Sequence, residues 1–409
     1  MSSSLFAQRV RRARRSVLRE LLKLTERPEI ISFAGGLPDP ETFPRKILAD
    51  IAADEILNNY KKSLQYTTTE GKRPLRAAII NWLAEDDIHY EMDQLIITSA
   101  SQQGLDLVAK TFIDPGDAVF VSLPTYIGAI QAFRAMEAEL VGVPLLDDGM
   151  DLDALEDAIA KARAQGLRPK LIYVVPDFQN PSGITWTREK RERLLEIASR
   201  EDLLVIEDMP YRKLRFTGEP VPAIAALDEE GRVLVLFTLS KVLAAGLRLG
   251  ALGGPRELVD KIVIMKQATD LCTSSLTQRI AARFMLEHDL SAHITRLCQH
   301  YRVKRDAMVA ALEKYMPKAE GISWTRPEGG LFLWVRLPED IDTERMFQRA
   351  LEHKVAYVIG APFFVDGSGK NTLRLSFSKA TLEEIEEGIR RLGQVVEEEL
   401  ASLPSGQTL

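Results

Sequence analysis

Val233-Leu-Val-Leu-Phe-Thr-Leu-Ser-Lys241 carries a strand-length apolar run and sets a lysine two residues beyond its end. A run like this, uncharged and rich in β-branched and aromatic residues, reads as a strand buried on both faces. Four similar runs precede it: Leu95–Thr98, Ala118–Val121, Leu171–Val175 and Leu203–Glu207. Amphipathic helical stretches separate them, so residues 95–255 predict a mostly parallel sheet covered by helices. In such sheets functional groups gather at the carboxyl ends of the strands.

Outward from this region the texture changes. Ser32 to Phe43 is too rich in Gly and Pro for regular structure and reads as an ordered loop, followed by a helix from about Arg45 to Asn58. A long helical tract spans about Pro255 to Tyr315. Beyond it come strand-like pieces at Gly330–Arg336, Ala356–Ile359 and Thr372–Phe377, with helices at Thr343–Glu352 and Leu382–Leu400. That pattern is α+β and reads as a smaller second domain. No repeat of 20–50 residues is visible.

The 409 residues suffice for two or three domains, and the balance of 45% hydrophobic to 27% charged residues is that of a globular protein. The formal net charge of −6 leaves no overall footprint for nucleic acid, so any phosphate must be bound locally. Cys272 and Cys298 are the only cysteines, which suits a reducing cytoplasm. His293, Cys298 and His300 read as a polar helix surface, not a metal site. No apolar run approaches the roughly 18 residues of a membrane span. Residues 1–19 hold six arginines and no acid. The stretch resembles a transit leader, and a nucleic-acid arm is also open, but Val17, Leu18, Leu21, Leu22 and Leu24 continue at the spacing of a helix docked on the body.

Lys241 is the candidate nucleophile. Desolvation at the end of a buried strand lowers a lysine pKa and frees the amine that a Schiff base needs; the plainer reading is a lysine emerging into water. Asp208 ends Leu203-Leu-Val-Ile-Glu-Asp, with Tyr211 three residues on. It could cap a helix or a turn, or hold a pyridine nitrogen protonated and so make pyridoxal phosphate an electron sink, with Tyr211 at the ring's phenolate oxygen. Asn180, in Phe178-Gln-Asn-Pro-Ser-Gly183, could donate to the same oxygen, although Asn-Pro-Ser-Gly is also an ordinary turn. Ser99-Ala-Ser101-Gln102-Gln-Gly104 joins a strand to a helix, where backbone N–H groups bind phosphate; Ser101 suits that role or simple capping. Arg248, Thr238 and Ser240 could join the same phosphate.

In this order, with Tyr126 after a strand, the set resembles the fold-type I aminotransferases that use pyridoxal phosphate, from about residue 16 to 400. Ser32-Phe-Ala-Gly-Gly-Leu-Pro, Leu64-Gln-Tyr-Thr-Thr-Thr-Glu-Gly71, Ser101-Gln-Gln, Phe178-Gln-Asn-Pro, Ser240-Lys-Val-Leu and Leu373-Arg-Leu-Ser-Phe are similar to the 2-aminoadipate and kynurenine aminotransferase group. The resemblance implies an α/β fold whose large domain, residues 46–314, has a mostly parallel seven-stranded sheet. A small domain spans 315–409, and residues 1–45 pack with it and with the active site. It also implies that Tyr126 stacks on the ring, that Tyr66 reaches the phosphate and substrate of the partner subunit of a homodimer, and that Asp270 to Ser275 lie near that interface. Arg374 then pairs with the substrate α-carboxylate, for which a guanidinium fork is suited, with Gly36 and Asn180 beside it. The same resemblance implies that Ser16 and Arg19 face the substrate side chain. Ala245 departs from the group, standing where a proline is common.

The implied activity is ping-pong transfer of an amino group from an L-amino acid (2-aminoadipate, branched-chain or aromatic) to 2-oxoglutarate. Three other readings stay open: racemisation or β-elimination on the same coenzyme, a plain phosphometabolite-binding protein, and a non-enzymatic regulator. The last would need a winged-helix segment that the short stretch ahead of Gly35 cannot supply.

Overall fold

The computed structural model describes residues 5–7, 9–10 and 27–403. The N-terminal helix expected around Val17 to Leu24, together with Ser16 and Arg19, lies outside the described residues. Strand β1 (Ile31–Ser32) pairs in parallel with Val355–Ala356, which ties the early chain to its last quarter. The main sheet follows: β2 (Leu95–Thr98), β3 (Asp117–Leu123), β4 (Glu139–Leu146), β5 (Gly149–Met150), β6 (Arg168–Val174), β7 (Leu204–Asp208), β8 (Val233–Thr238) and β9 (Gly250–Gly253). Its order is β2-β9-β8-β7-β6-β3-β4-β5. The pairs from β4 to β8 are parallel, while β9 runs antiparallel to both β2 and β8. The eighth strand, beyond the seven expected, is the two-residue β5 folded back on the end of β4.

Every residue of β8 is buried, because helices cover both faces of the sheet. The helix Ala100–Phe112 lies close over it: a Cβ on Gly104 would stand 2.7 Å from Leu236 Cδ2, so glycine sets this approach.

A separate four-stranded antiparallel sheet contains β10 (Ser323–Trp324), β11 (Phe332–Arg336), β13 (Val358–Ile359) and β14 (Thr372–Ser376), in the order β10-β11-β14-β13; Val355–Ala356, the partner of β1, is β12. The expected strand Ala356–Ile359 is thus two short strands serving different sheets. The helical tract divides into Arg256–Asp270, Ser275–Glu287 and Leu290–Tyr315. The first break is at Leu271, whose φ of 64° no α-helix accommodates. Within the Gly/Pro-rich loop, Pro40–Thr42 forms a 3₁₀ turn capped by the Asp39 side chain.

One reading needs correction. His293 is buried, with Nε2 3.0 Å from Val242 O, so it is not polar surface. Cys298 Sγ donates to Lys213 O and His300 Nε2 lies 2.8 Å from Asp39 Oδ2, so the three side chains serve three different partners.

Candidate active site

Ser101, Gln102, Tyr126, Asn180, Asp208, Tyr211, Thr238, Ser240 and Lys241 lie along the edge where β2, β3, β6, β7 and β8 end. Arg248 is the exception in detail: it precedes β9, and because β9 runs antiparallel to β8 its start lies on the same edge. Lys241 sits in a π-helical turn, Ser240–Ala244, directly after β8. Its Nζ donates to Gly36 O at 2.9 Å. Burial, helped by the cations of Arg374 and Arg248, lowers its pKa to about 8.

Asp208 is buried at the last position of β7. Its Oδ2 accepts from Tyr173 Oη at 2.9 Å, while Oδ1 is buried with no partner. Burial raises its pKa to about 7 against the opposing effect of the Tyr173 bond. A buried, unpaired carboxylate oxygen is costly, and a donor from a bound molecule removes the cost. Alternation along the strand sends the neighbouring Glu207 to the other face, where it accepts from Ile224 N and Ala225 N and caps a short helix. Two adjacent acids therefore do unrelated work.

Arg374, on β14, is buried and lowered to about 10 by desolvation. Nη1 donates to Asn180 Oδ1 at 2.7 Å and Nη2 to Ala34 O at 2.9 Å, while Nε is buried without a partner. The guanidinium lies 4.3 Å from the ring centroid of Phe332 and 5.3 Å from that of Phe363. Asn180 also hydrogen-bonds Tyr211, whose ring meets Phe332 edge-on. Lys241, Gly36, Arg374, Asn180 and Tyr211 thus form one connected group.

At the other end, Ala100 with a φ of 63° opens the helix Ala100–Phe112. Ser99 provides no side-chain cap, and Ser101 Oγ is buried with no partner. Gln102 Nε2 donates to Gly128 O at 3.0 Å and its Oε1 accepts from Tyr126 Oη at 3.4 Å, so Gln102 steadies Tyr126. Thr238 Oγ1 lies 2.9 Å from Ser240 Oγ and 3.2 Å from Leu249 O and accepts from Ser240 N, contacts that also shape the turn. Arg248 is exposed, in the left-handed region, near Ala245 O. Tyr66 is not brought into this group: it is 78% exposed.

The sequence does not single out Tyr173, Phe332 or Phe363. Strand periodicity could have found Tyr173, which pairs with Ile206 and so shares a face with Asp208 on the next strand. Phe363 comes from a remote turn and leaves no comparable sign.

Residues 28–392 match the family model for class I and II aminotransferases. The chain belongs to this family. It is 45% identical to the aromatic-amino-acid aminotransferase 1 of Thermococcus litoralis, over 97% of this chain and 94% of that one. The kynurenine aminotransferase of Pyrococcus horikoshii, solved with PMP, superposes with a TM-score of 0.93 at 45% identity, covering 97% and 98% of the two chains. The α-aminoadipate aminotransferase of Thermus thermophilus, solved with N-(5'-phosphopyridoxyl)-L-leucine, gives 0.90 at 40% identity, covering 98% and 100%. The groups left free in this aminotransferase fit pyridoxal phosphate. Asp208 Oδ1 is a buried acceptor with no donor, the Lys241 amine has its pKa lowered to about 8, and Ser101 Oγ is unpartnered at a helix N-terminus that no side chain caps.

Proposed function

We propose that this aminotransferase moves the amino group of an L-amino acid, 2-aminoadipate as well as branched-chain and aromatic ones, to 2-oxoglutarate by a ping-pong cycle. Bound pyridoxal phosphate supplies the carbonyl that takes up the amine and the ring that delocalises the resulting negative charge. Lys241 is the catalytic residue: its amine moves the proton of the substrate α-carbon, and a pKa of about 8 leaves it partly unprotonated near neutral pH. Asp208, oriented by Tyr173, would hold the ring nitrogen protonated. Asn180 and Tyr211 would face the ring oxygen, Tyr126 the ring face, and Ser101, Gln102, Thr238, Ser240 and Arg248 the phosphate end. Arg374 would bind the α-carboxylate, its open Nε–H and planar fork suiting a carboxylate. The observation that carries this reading is the meeting of Lys241 and Arg374 across the Ala34–Gly36 segment, which accepts a hydrogen bond from each.

The names of the similar enzymes, aromatic, kynurenine and aminoadipate aminotransferases, support a broad donor range. In this reading Arg19 recognises a distal carboxylate and Ser16 takes part in binding the substrate side chain. The two separate sheets support a coenzyme domain of residues 46–314 and a small domain of 315–409, with residues 1–45 packing with the small domain and the active site. The exposure of Tyr66 suits a residue that completes the site of a second copy in a homodimer. Among the described residues no helix is long and apolar enough to cross a membrane; with only two cysteines, both free, a cytoplasmic location is proposed.

A panel of amine donors with 2-oxoglutarate tests the reading. Donors should yield their 2-oxo acids and glutamate, and Lys241→Ala should slow this by about 10²–10⁴-fold. Donor consumed without a matching 2-oxo acid would point to racemisation or β-elimination. Arg19→Ala should cut the rate on 2-aminoadipate relative to leucine; an unchanged ratio removes Arg19 from substrate choice.

A further inference from the structure

Gln103 is a residue the site does not otherwise use. Its Oε1 accepts from the backbone N–H of Ser99 at 2.7 Å, and its Nε2 donates to Asp270 Oδ2 at 2.6 Å. Asp270 Oδ1 in turn accepts from Lys266 Nζ at 2.7 Å, and the Lys266 side chain is fully buried. The amide can stand only one way round, because the Ser99 N–H can only donate and the carboxylate can only accept. Four groups therefore form a directed chain. It runs from the C-terminal end of the helix Arg256–Asp270 to the start of the helix Ala100–Phe112.

At that start, a side chain usually reaches back to cap the first turn. Here Ser99 does not, and the Gln103 side chain pairs instead with the N–H just outside the helix. The first-turn N–H groups, which helix geometry cannot pair internally, are left for another acceptor. The buried, unpartnered Ser101 Oγ lies among them.

We propose that Gln103, Asp270 and Lys266 are positioning residues that hold Ser99 and Ala100 so that the helix start presents its N–H groups and Ser101 to the coenzyme phosphate. This rests on the assignment of that helix start as the phosphate site. Lys266 keeps the Asp270 carboxylate in place, Asp270 fixes the Gln103 amide, and Gln103 fixes the turn. Phosphate affinity thus depends on a segment that touches no phosphate, and which opens the Asp270 to Ser275 stretch expected near the subunit interface.

The test compares binding of pyridoxal phosphate with that of pyridoxal, which lacks the phosphate, by absorbance titration of the coenzyme-free protein. Gln103→Leu should weaken pyridoxal phosphate about tenfold or more, the size of a lost hydrogen bond to a charged group, and leave pyridoxal within about twofold. Asp270→Asn should behave likewise, since its amide, turned to accept from Lys266, presents N–H to N–H at Gln103. Adding Lys266→Met to Asp270→Asn frees the amide to turn and should restore most of the loss, which also serves if Gln103→Leu does not fold. Equal losses for both ligands, no loss at all, or a double variant no better than Asp270→Asn would overturn the relay. Wild-type protein that binds the two ligands equally well would instead overturn the phosphate assignment beneath it.

Discussion

Single side chains decide the chemistry here through what they leave unpaired. Asp208 has one oxygen on Tyr173 and one free, and burial lifts its pKa to about 7. Without coenzyme the folded state therefore keeps a proton that the unfolded chain releases near pH 4, so this group's contribution to stability is full below pH 4 and is lost as pH rises through 7. Asp208→Asn keeps the Tyr173 bond and removes the charge. It should make the coenzyme-free protein more stable at pH 8, by on the order of 1–3 kcal/mol in denaturant unfolding, and slow amino transfer by about 10²–10³-fold. A variant that lost stability at pH 8 and kept its rate would contradict both halves. Arg374→Lys cannot reach Asn180 Oδ1 and Ala34 O together, and a point charge replaces a fork. It should lower kcat/KM for every donor about 10²-fold or more through KM, with the visible coenzyme band unchanged. At this scale the sequence was legible where side chains lie at or just beyond strand ends, as with Lys241, Asp208 and Asn180. It was not where a partner arrives from a distant loop, as with Phe363 and the carbonyl of Ala34.

Elements place these side chains, and the least obvious of them matter most. Strand β9 reads Gly-Ala-Leu-Gly, without the β-branched run that marks β8, because other backbone crowds it. A Cβ on Gly250 would stand 2.5 Å from Phe237 O and 2.9 Å from the Ala100 carbonyl carbon. Gly250→Ala should therefore cost about 1–3 kcal/mol in unfolding free energy and weaken pyridoxal phosphate in a coenzyme titration, since the strain lands on the helix proposed to bind its phosphate. Unchanged stability would show that Ala100 is free to move. Strand β4 is similarly illegible, being half-exposed near the sheet edge. Its neighbours β3 and β6 to β8 were legible because both faces are covered, which leaves near-continuous apolar runs. The long helical tract read as one element because amphipathic spacing continues across Leu271 and His288, where only φ or a capping Asp289 marks a break.

For the whole molecule, the main sheet supplies the edge proposed for the coenzyme, and the pairing of β1 with Val355–Ala356 draws Ala34 and Gly36 onto it. Fold class and the division into two sheets were legible from the alternation of runs and the later change of texture. The completion of the site by a second copy is a proposal from Tyr66, and it can be checked by mixing. Lys241→Ala and Tyr66→Ala subunits are each impaired alone; after subunit exchange one site in a mixed dimer regains both residues, so activity should rise above that of either variant. No gain on mixing would confine each site to one chain. The most direct test of the central claim uses the coenzyme-loaded enzyme with an amino donor and no acceptor. The proposed cycle predicts a single burst of about one equivalent of 2-oxo acid per site for wild type and none on the same timescale for Lys241→Ala. Product formed only when 2-oxoglutarate is also present, or an undiminished burst without the lysine, would contradict it.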